Sequence, residues 1–139
     1  VIITHPDKAV ATLVRLKQMG VSITVDDFGT GYSSLSYLAR LPIQGLKIDQ
    51  RFVQGIERNR NDETITQAIV ALSHSLGLRC IAEGVETHPQ LEFLRRHGCP
   101  FAQGFLVCPP LEAAELRVWW SSRASDAAAA QPELFPAAR

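Results

Sequence analysis

Apolar and polar positions along the chain follow two periods, one of about 3.6 residues and one of two residues. The longer period covers residues 6 to 20, which open with a proline and close with a glycine, and it predicts a helix. Residues 21 to 25 alternate β-branched with small side chains and predict a strand that stops at Asp26 and Asp27. Residues 29 to 34 then have the composition of a loop.

The same strand-then-helix cycle recurs along the rest of the chain. Further strands are predicted at residues 45–49, 78–82 and 101–107, and further helices at 35–41, 62–76, 87–96 and from about residue 111. Strands and helices that alternate in this way favour a parallel sheet with right-handed crossovers. The predicted fold class is therefore α/β, with about four parallel βα units.

Two helices carry recognisable start signals. Asp62 can cap the second long helix, and Thr87 can cap the one after it. The apolar face of the longer helix is expected to consist of Ile65, Ile69, Leu72 and Leu76.

Composition and charge restrict the class of protein. With 46% hydrophobic and 20% charged residues, the 139-residue chain has the composition of a soluble globular domain, expected at residues 1–121, with an Ala- and Pro-rich disordered tail at 122–139. A formal net charge of zero argues against a surface for polymeric nucleic acid. No apolar run approaches the roughly 20 residues of a membrane span, and three cysteines without metal-ligand spacing fit a reduced, cytoplasmic compartment.

The polar residues of this pattern fall where strands end. In parallel βα folds, functional groups gather at the carboxyl ends of strands. Carboxylate oxygens suit hard cations such as Mg²⁺ or Mn²⁺, and adjacent anions repel each other unless a cation neutralises them. Four successive strands deliver such groups here: Asp26 and Asp27, then Lys47, then Glu83 with Glu86 nearby, then Gln103.

Each of these residues also has a structural interpretation. The aspartates can start a loop and cap a helix, and Lys47 can extend to the surface or pair with Asp49. The two glutamates can favour the start of the next helix, Glu86 more than Glu83. Gln103 can be a buried amide whose hydrogen bonds are satisfied within the fold.

Four motifs in order resemble the signatures of EAL domains. These are Asp26-Asp-Phe-Gly-Thr-Gly-Tyr-Ser-Ser-Leu35, Leu46-Lys-Ile-Asp49 with Arg51-Phe-Val53, Ala82-Glu-Gly-Val-Glu-Thr87, and Gln103-Gly-Phe105. The resemblance covers residues 1 to about 116. It implies the C-terminal half of a modified TIM barrel from bacterial signalling proteins that hydrolyse cyclic di-GMP to linear pGpG with Mg²⁺ or Mn²⁺, a two-metal phosphodiester hydrolysis.

The resemblance assigns a role to each matching position. Asp26, Asp27 and Glu83 correspond to metal-site residues, and Glu83 also to a residue described as a general base. Lys47 corresponds to the lysine that contacts the attacking water, and Gln103 to an amide that lines the ligand site. Loop support and dimerisation are implied for Glu86, Phe28, Gly29, Thr30 and Gly31, so that the complete domain is expected to form a homodimer.

Other family signatures are absent from the chain. The Glu-Ala-Leu segment, an asparagine and a further glutamate would precede Val1, which is not a methionine. We therefore expect a truncated domain that supplies only part of a two-metal site and is inactive alone. The alternatives are a non-catalytic cyclic-di-GMP receptor and an interaction module completed by another half barrel, and the sequence identifies no accompanying sensory or GGDEF-like domain.

Overall fold

Four parallel strands form a single sheet in the computed structural model, which describes residues 6–31 and 35–129. Each strand pairs with the strand that precedes it in the chain, so that sheet order and chain order coincide. The strands are β1 (Thr24–Phe28), β2 (Gly45–Ile48), β3 (Arg79–Ala82) and β4 (Phe101–Ala102).

Helices occupy the connections between the strands and follow the last one. They are α1 (Pro6–Gln18), α2 (Leu35–Leu38), α3 (Gln50–Gln54), α4 (Arg60–Ser75), α5 (His88–Arg96) and α6 (Ala113–Ala129). The predicted α/β class with four parallel βα units is confirmed. The five-residue helix α3 was not predicted.

The core is centred on β2 and β3. Leu46, Ile48, Cys80 and Ala82 are fully buried on these two strands. Burial of a complete Leu or Ile side chain stabilises the fold by about 1.5–3 kcal/mol, so the middle of the sheet is a rigid support for the residues that follow each strand.

Strand β1 does not stop at the aspartates, as the sequence pattern predicted, but continues to Phe28. Its pairing with β2 changes register between Val25 and Phe28, so that Asp26 and Asp27 together lie opposite the single residue Lys47. This is a β-bulge, which inserts one extra residue into a strand and redirects its side chains. Phe28 forms the last position of the strand, and its side chain is buried in the core.

Helix α4 begins earlier than predicted. Asn59, not Asp62, is its N-cap, and the Asn59 side chain accepts a hydrogen bond of 3.0 Å from the amide of Asn61. Asp62 lies in the first turn, where negative charge interacts favourably with the helix dipole.

The buried face of α4 also differs from the predicted one. Ile65 and Leu76 are each 36% exposed, and of the expected face only Ile69 is buried. The buried residues are Thr66, Ile69, Val70 and Ser73. The buried Ser73 hydroxyl is satisfied because it donates a hydrogen bond of 2.8 Å to the carbonyl of Ile69.

The predictions for α5 and β4 are confirmed in part. Thr87 caps α5 as expected, in a capping box with Gln90. Strand β4 is only two residues long instead of reaching Val107, because the chain turns after it and the amide of Leu106 bonds to the carbonyl of Val85.

The described residues from Cys108 onward belong to a separate compact unit that contains α6. This helix crosses residue 121, where a disordered tail was expected to begin, and continues to Ala129. The alanines explain this extension because alanine has the highest helix propensity. Residues 130–139 of the expected tail lie outside the described residues. Among the helices that are described, none is long and apolar enough to cross a membrane.

Candidate metal centre

The bulge in β1 presents both aspartates at one edge of the sheet. In a regular strand two successive side chains point to opposite faces, whereas Asp27 has a φ of 50°, which redirects its side chain. Aspartate tolerates this left-handed conformation better than most residues. The hydroxyl of Thr30 donates a hydrogen bond of 3.0 Å to the Asp27 carbonyl and helps to hold this geometry.

Lys47 connects the carboxylates of two different strand ends. Its Nζ lies 3.0 Å from Oδ1 of Asp26 and 2.5 Å from Oε1 of Glu83. Gln103, which directly follows β4, donates a hydrogen bond of 2.7 Å from its Nε2 to the same Glu83 oxygen. The structure therefore brings together the groups of all four strands, and Lys47 does not pair with Asp49.

These contacts change the protonation equilibria of the cluster. The hydrogen bond to Glu83 is the main cause that raises the pKa of Lys47, and the contact with Asp26 adds to it. The hydrogen bond from Lys47 lowers the pKa of Asp26. Both shifts favour the charged forms, so the cluster contains an ammonium group and an aspartate carboxylate at neutral pH.

The acidic residues have the spacing of a cation site. Asp26, Asp27 and Glu83 each offer one carboxylate oxygen, and these oxygens all lie within 4.8 Å of one another. Hard divalent cations prefer such oxygen ligands. Asp26 and Asp27 are exposed and Glu83 is half-buried, so a cation and a phosphate-bearing ligand can reach all three from solvent. The residues present thus fit Mg²⁺ or Mn²⁺.

The residues expected to support the loop lie at different places. Phe28 is buried in the core at the end of β1, while Gly29, Thr30 and Gly31 form the exposed turn that follows. Glu86 lies outside the acidic cluster, and its Oε1 accepts a hydrogen bond of 3.2 Å from Nε2 of Gln54 on α3. The proposed roles of these residues in dimerisation remain predictions.

Asp49 and Arg51 have a structural role that was not predicted from the sequence, where Asp49 was considered only as a partner of Lys47. The Asp49 side chain is only 8% exposed, caps α3 by accepting a hydrogen bond of 2.8 Å from the Arg51 amide, and forms an ion pair of 3.2 Å with its guanidinium. The hydrogen bonds from Arg51 lower the pKa of Asp49. An aspartate two residues before an arginine, directly after a buried strand, is the signal that could have predicted this cap.

A comparison with protein families identifies the chain. The family model of the EAL domain matches residues 1–110. The chain belongs to the EAL domain family. It covers part of an EAL domain, and the TIM-barrel-like fold of this family agrees with the parallel βα units described above.

The curated relatives include the Pseudomonas aeruginosa proteins NbdA and MucR. The cyclic di-GMP phosphodiesterase NbdA is 47% identical over 122 residues, which cover 88% of this chain and 16% of NbdA. The bifunctional diguanylate cyclase/cyclic di-GMP phosphodiesterase MucR is 51% identical over 110 residues, which cover 79% of this chain and 16% of MucR. The chain thus spans only a small part of these EAL proteins.

Solved EAL structures agree with the fold. A complex of the MucR phosphodiesterase with c-di-GMP superimposes with a TM-score of 0.79 at 49% identity and covers 82% of this chain and 46% of that one. A manganese and cyclic-di-GMP complex of Klebsiella pneumoniae BlrP1 superimposes with a TM-score of 0.71 at 35% identity, over 78% of this chain and 28% of that one.

Proposed function

We propose that the EAL domain to which this chain contributes hydrolyses cyclic di-GMP to linear pGpG with Mg²⁺ or Mn²⁺. The observation that carries the proposal is the acidic triad, Asp26, Asp27 and Glu83, whose oxygens lie within 4.8 Å of one another. The proposal is supported by relatives that are cyclic di-GMP phosphodiesterases and by a relative solved with manganese and cyclic di-GMP.

Divalent cations held by this triad would supply Lewis-acid chemistry at the scissile phosphate. The chain's own residues then have separate tasks. Lys47 places a positive charge between Asp26 and Glu83, where it can orient a water molecule and stabilise negative charge that develops on the phosphate.

Glu83 and Gln103 form the other side of the site. The amide of Gln103 donates to one Glu83 oxygen and thereby fixes the orientation of the carboxylate, which leaves the second oxygen for a cation or a proton. A carboxylate held in this way is a suitable general base for water attack.

The proposal extends to the remaining ligands and to partners. The rest of the metal shell would come from residues that are not in this chain, so we expect the 139-residue chain alone to be inactive. The complete domain would act as a homodimer in the cytoplasm, with cyclic di-GMP as its ligand.

The test uses the protein that contains the complete EAL domain. Purified protein is incubated with cyclic di-GMP and Mg²⁺ or Mn²⁺, and pGpG is quantified by chromatography. Asp26→Asn should lower kcat more than about 100-fold because removal of a ligand costs at least as much as loss of its supporting partners. The matched control is Glu92→Gln on the exposed face of α5, which should leave kcat unchanged.

The outcomes separate the alternatives. Binding of cyclic di-GMP without pGpG formation would favour a receptor and contradict the proposal. Robust metal-dependent pGpG formation by residues 1–139 alone would contradict the expected inactivity of the chain. EDTA should abolish turnover, and activity that survives complete chelation would refute the metal dependence.

A further inference from the structure

The short helix α3 lies between the turn that follows β1, the strand of Asp26 and Asp27, and the loop that follows β3 and contains Glu83. It starts directly after β2, the strand of Lys47, and its first turn is tied down by the Asp49 cap and the ion pair with Arg51. Helix α3 is therefore a fixed extension of the central strand, and its side chains are available to contact both neighbouring loops.

One contact reaches the loop that follows β1. Gly29 has a φ of 104°, and a methyl group at this position would lie 2.6 Å from Cε2 of Phe52 and 3.2 Å from Cδ1 of Ile69. The Phe52 ring thus packs directly on the loop backbone, two residues after Asp27. Because packed interiors yield little to compression, the ring restricts how far this backbone can move toward α3.

Two contacts reach the loop that follows β3. A methyl group at Gly84, the residue after Glu83, would lie 2.6 Å from Cβ of Gln50. Nε2 of Gln54 donates a hydrogen bond of 3.2 Å to Oε1 of Glu86. The helix therefore contacts the turn that follows Asp26 and Asp27 on one side and the loop of Glu83 on the other.

We propose that α3 is a spacer that sets the distance between the end of β1, which carries Asp26 and Asp27, and the loop of Glu83, with Phe52 and Gln54 as positioning residues for the cation site. Neither residue belongs to the acidic triad. Phe52 acts through the backbone at Gly29, and Gln54 acts through Glu86. The proposal rests on the metal site of the proposed function and adds to it the element that holds its two halves apart.

The experiment measures Mn²⁺ binding by calorimetry, without cyclic di-GMP, in the protein that contains the complete EAL domain. Phe52→Ala should raise the Kd for Mn²⁺ by about 10- to 100-fold, as is typical for groups that orient metal ligands. Phe52→Leu keeps an apolar side chain against Gly29 and should restore most of the affinity. The control is Leu91→Ala, which truncates a half-buried apolar residue of α5.

The urea midpoint of each variant separates positioning from general destabilisation. A Kd that rises in Phe52→Ala but not in Leu91→Ala, at similar loss of stability, supports the spacer. Equal Kd values in both variants would overturn it. If Phe52→Ala does not fold, Gln54→Ala decides, because its contact is exposed: a raised Kd at an unchanged urea midpoint supports the proposal, and an unchanged Kd refutes it.

The same titration distinguishes this proposal from the proposed function. A wild-type protein that binds Mn²⁺ but forms no pGpG would refute the proposed hydrolysis and leave the spacer testable. Hydrolysis in the wild type together with identical Mn²⁺ affinity in all α3 variants would refute the spacer alone.

Discussion

Replacement of Lys47 by methionine tests whether its ammonium group stabilises the metal-free site. The larger contact is with Glu83, whose side chain is 16% exposed, and a hydrogen bond to a charged group contributes about 1.5–3 kcal/mol. The Asp26 side chain is 62% exposed. Solvent screening therefore limits the stabilisation by the Lys47–Asp26 pair to about 0.2–1 kcal/mol. Since methionine retains part of the packing of the aliphatic stem, the free energy of unfolding should fall by about 2 kcal/mol.

The assay is urea unfolding at pH 7 with EDTA present. With a slope of roughly 1–3 kcal/mol per molar urea, the midpoint should fall by about 1 M. Lys17→Met on the exposed surface of α1 is the control and should change stability by less than about 0.5 kcal/mol. A Lys47→Met midpoint equal to that of the control would refute the reasoning.

The pH dependence gives a second check. The pKa of Lys47 is raised above 10.5 in the folded protein, so its contribution is complete below pH 10.5 and disappears as pH rises through the folded pKa. The pKa of Asp26 is lowered below 3.8, so the smaller Asp26 share is present above pH 3.8 and is lost as pH falls through the folded pKa. A difference between wild type and Lys47→Met that stays constant far above pH 10.5 would contradict this assignment.

Two further substitutions probe the edge of the sheet near β4. Gln103→Glu replaces a donor to Glu83 by a second carboxylate and should lower the free energy of unfolding by about 1–3 kcal/mol at pH 7; an unchanged urea midpoint would show that the amide does not support Glu83. Gly104→Ala would push a methyl group into the backbone of Val85 and should cost roughly 3 kcal/mol. Gly77→Ala, whose methyl would meet nothing within 4 Å, should cost only the backbone strain of about 1–2 kcal/mol; equal losses would rule out the clash at Gly104.

The grouping of the site residues could be predicted from the sequence because parallel strands end at one edge of a sheet. Asp26, Lys47, Glu83 and Gln103 were expected to meet there, and the structure brings them into contact. Their catalytic and metal-binding roles remain predictions. The direction of the two aspartates could not be predicted, since it depends on the bulge and on the positive φ of Asp27, which leave no hydrophobic pattern.

Helix α3 and the face of α4 were missed for different reasons. A five-residue helix is too short to show a 3.6-residue period, so only its Asp49 cap could have indicated it. The face of α4 was assigned by choosing large apolar residues, whereas the sheet accommodates the small side chains of Thr66 and Ser73. The hydrophobic pattern therefore predicted the presence of α4 correctly but assigned the wrong side of the helix to the core.

Sheet order and chain order coincide, so each strand can pair with the strand that was synthesised before it. Each pairing closes only one strand-helix-strand loop, which costs less chain entropy than a longer closure would. During synthesis the N-terminal units emerge first, so β1 can pair with β2 and Lys47 can contact Asp26 before β3 joins the sheet and brings Glu83 to the site. Among the residues of this chain, the ammonium group of Lys47 therefore joins the two aspartates at the sheet edge before the third carboxylate, that of Glu83, does.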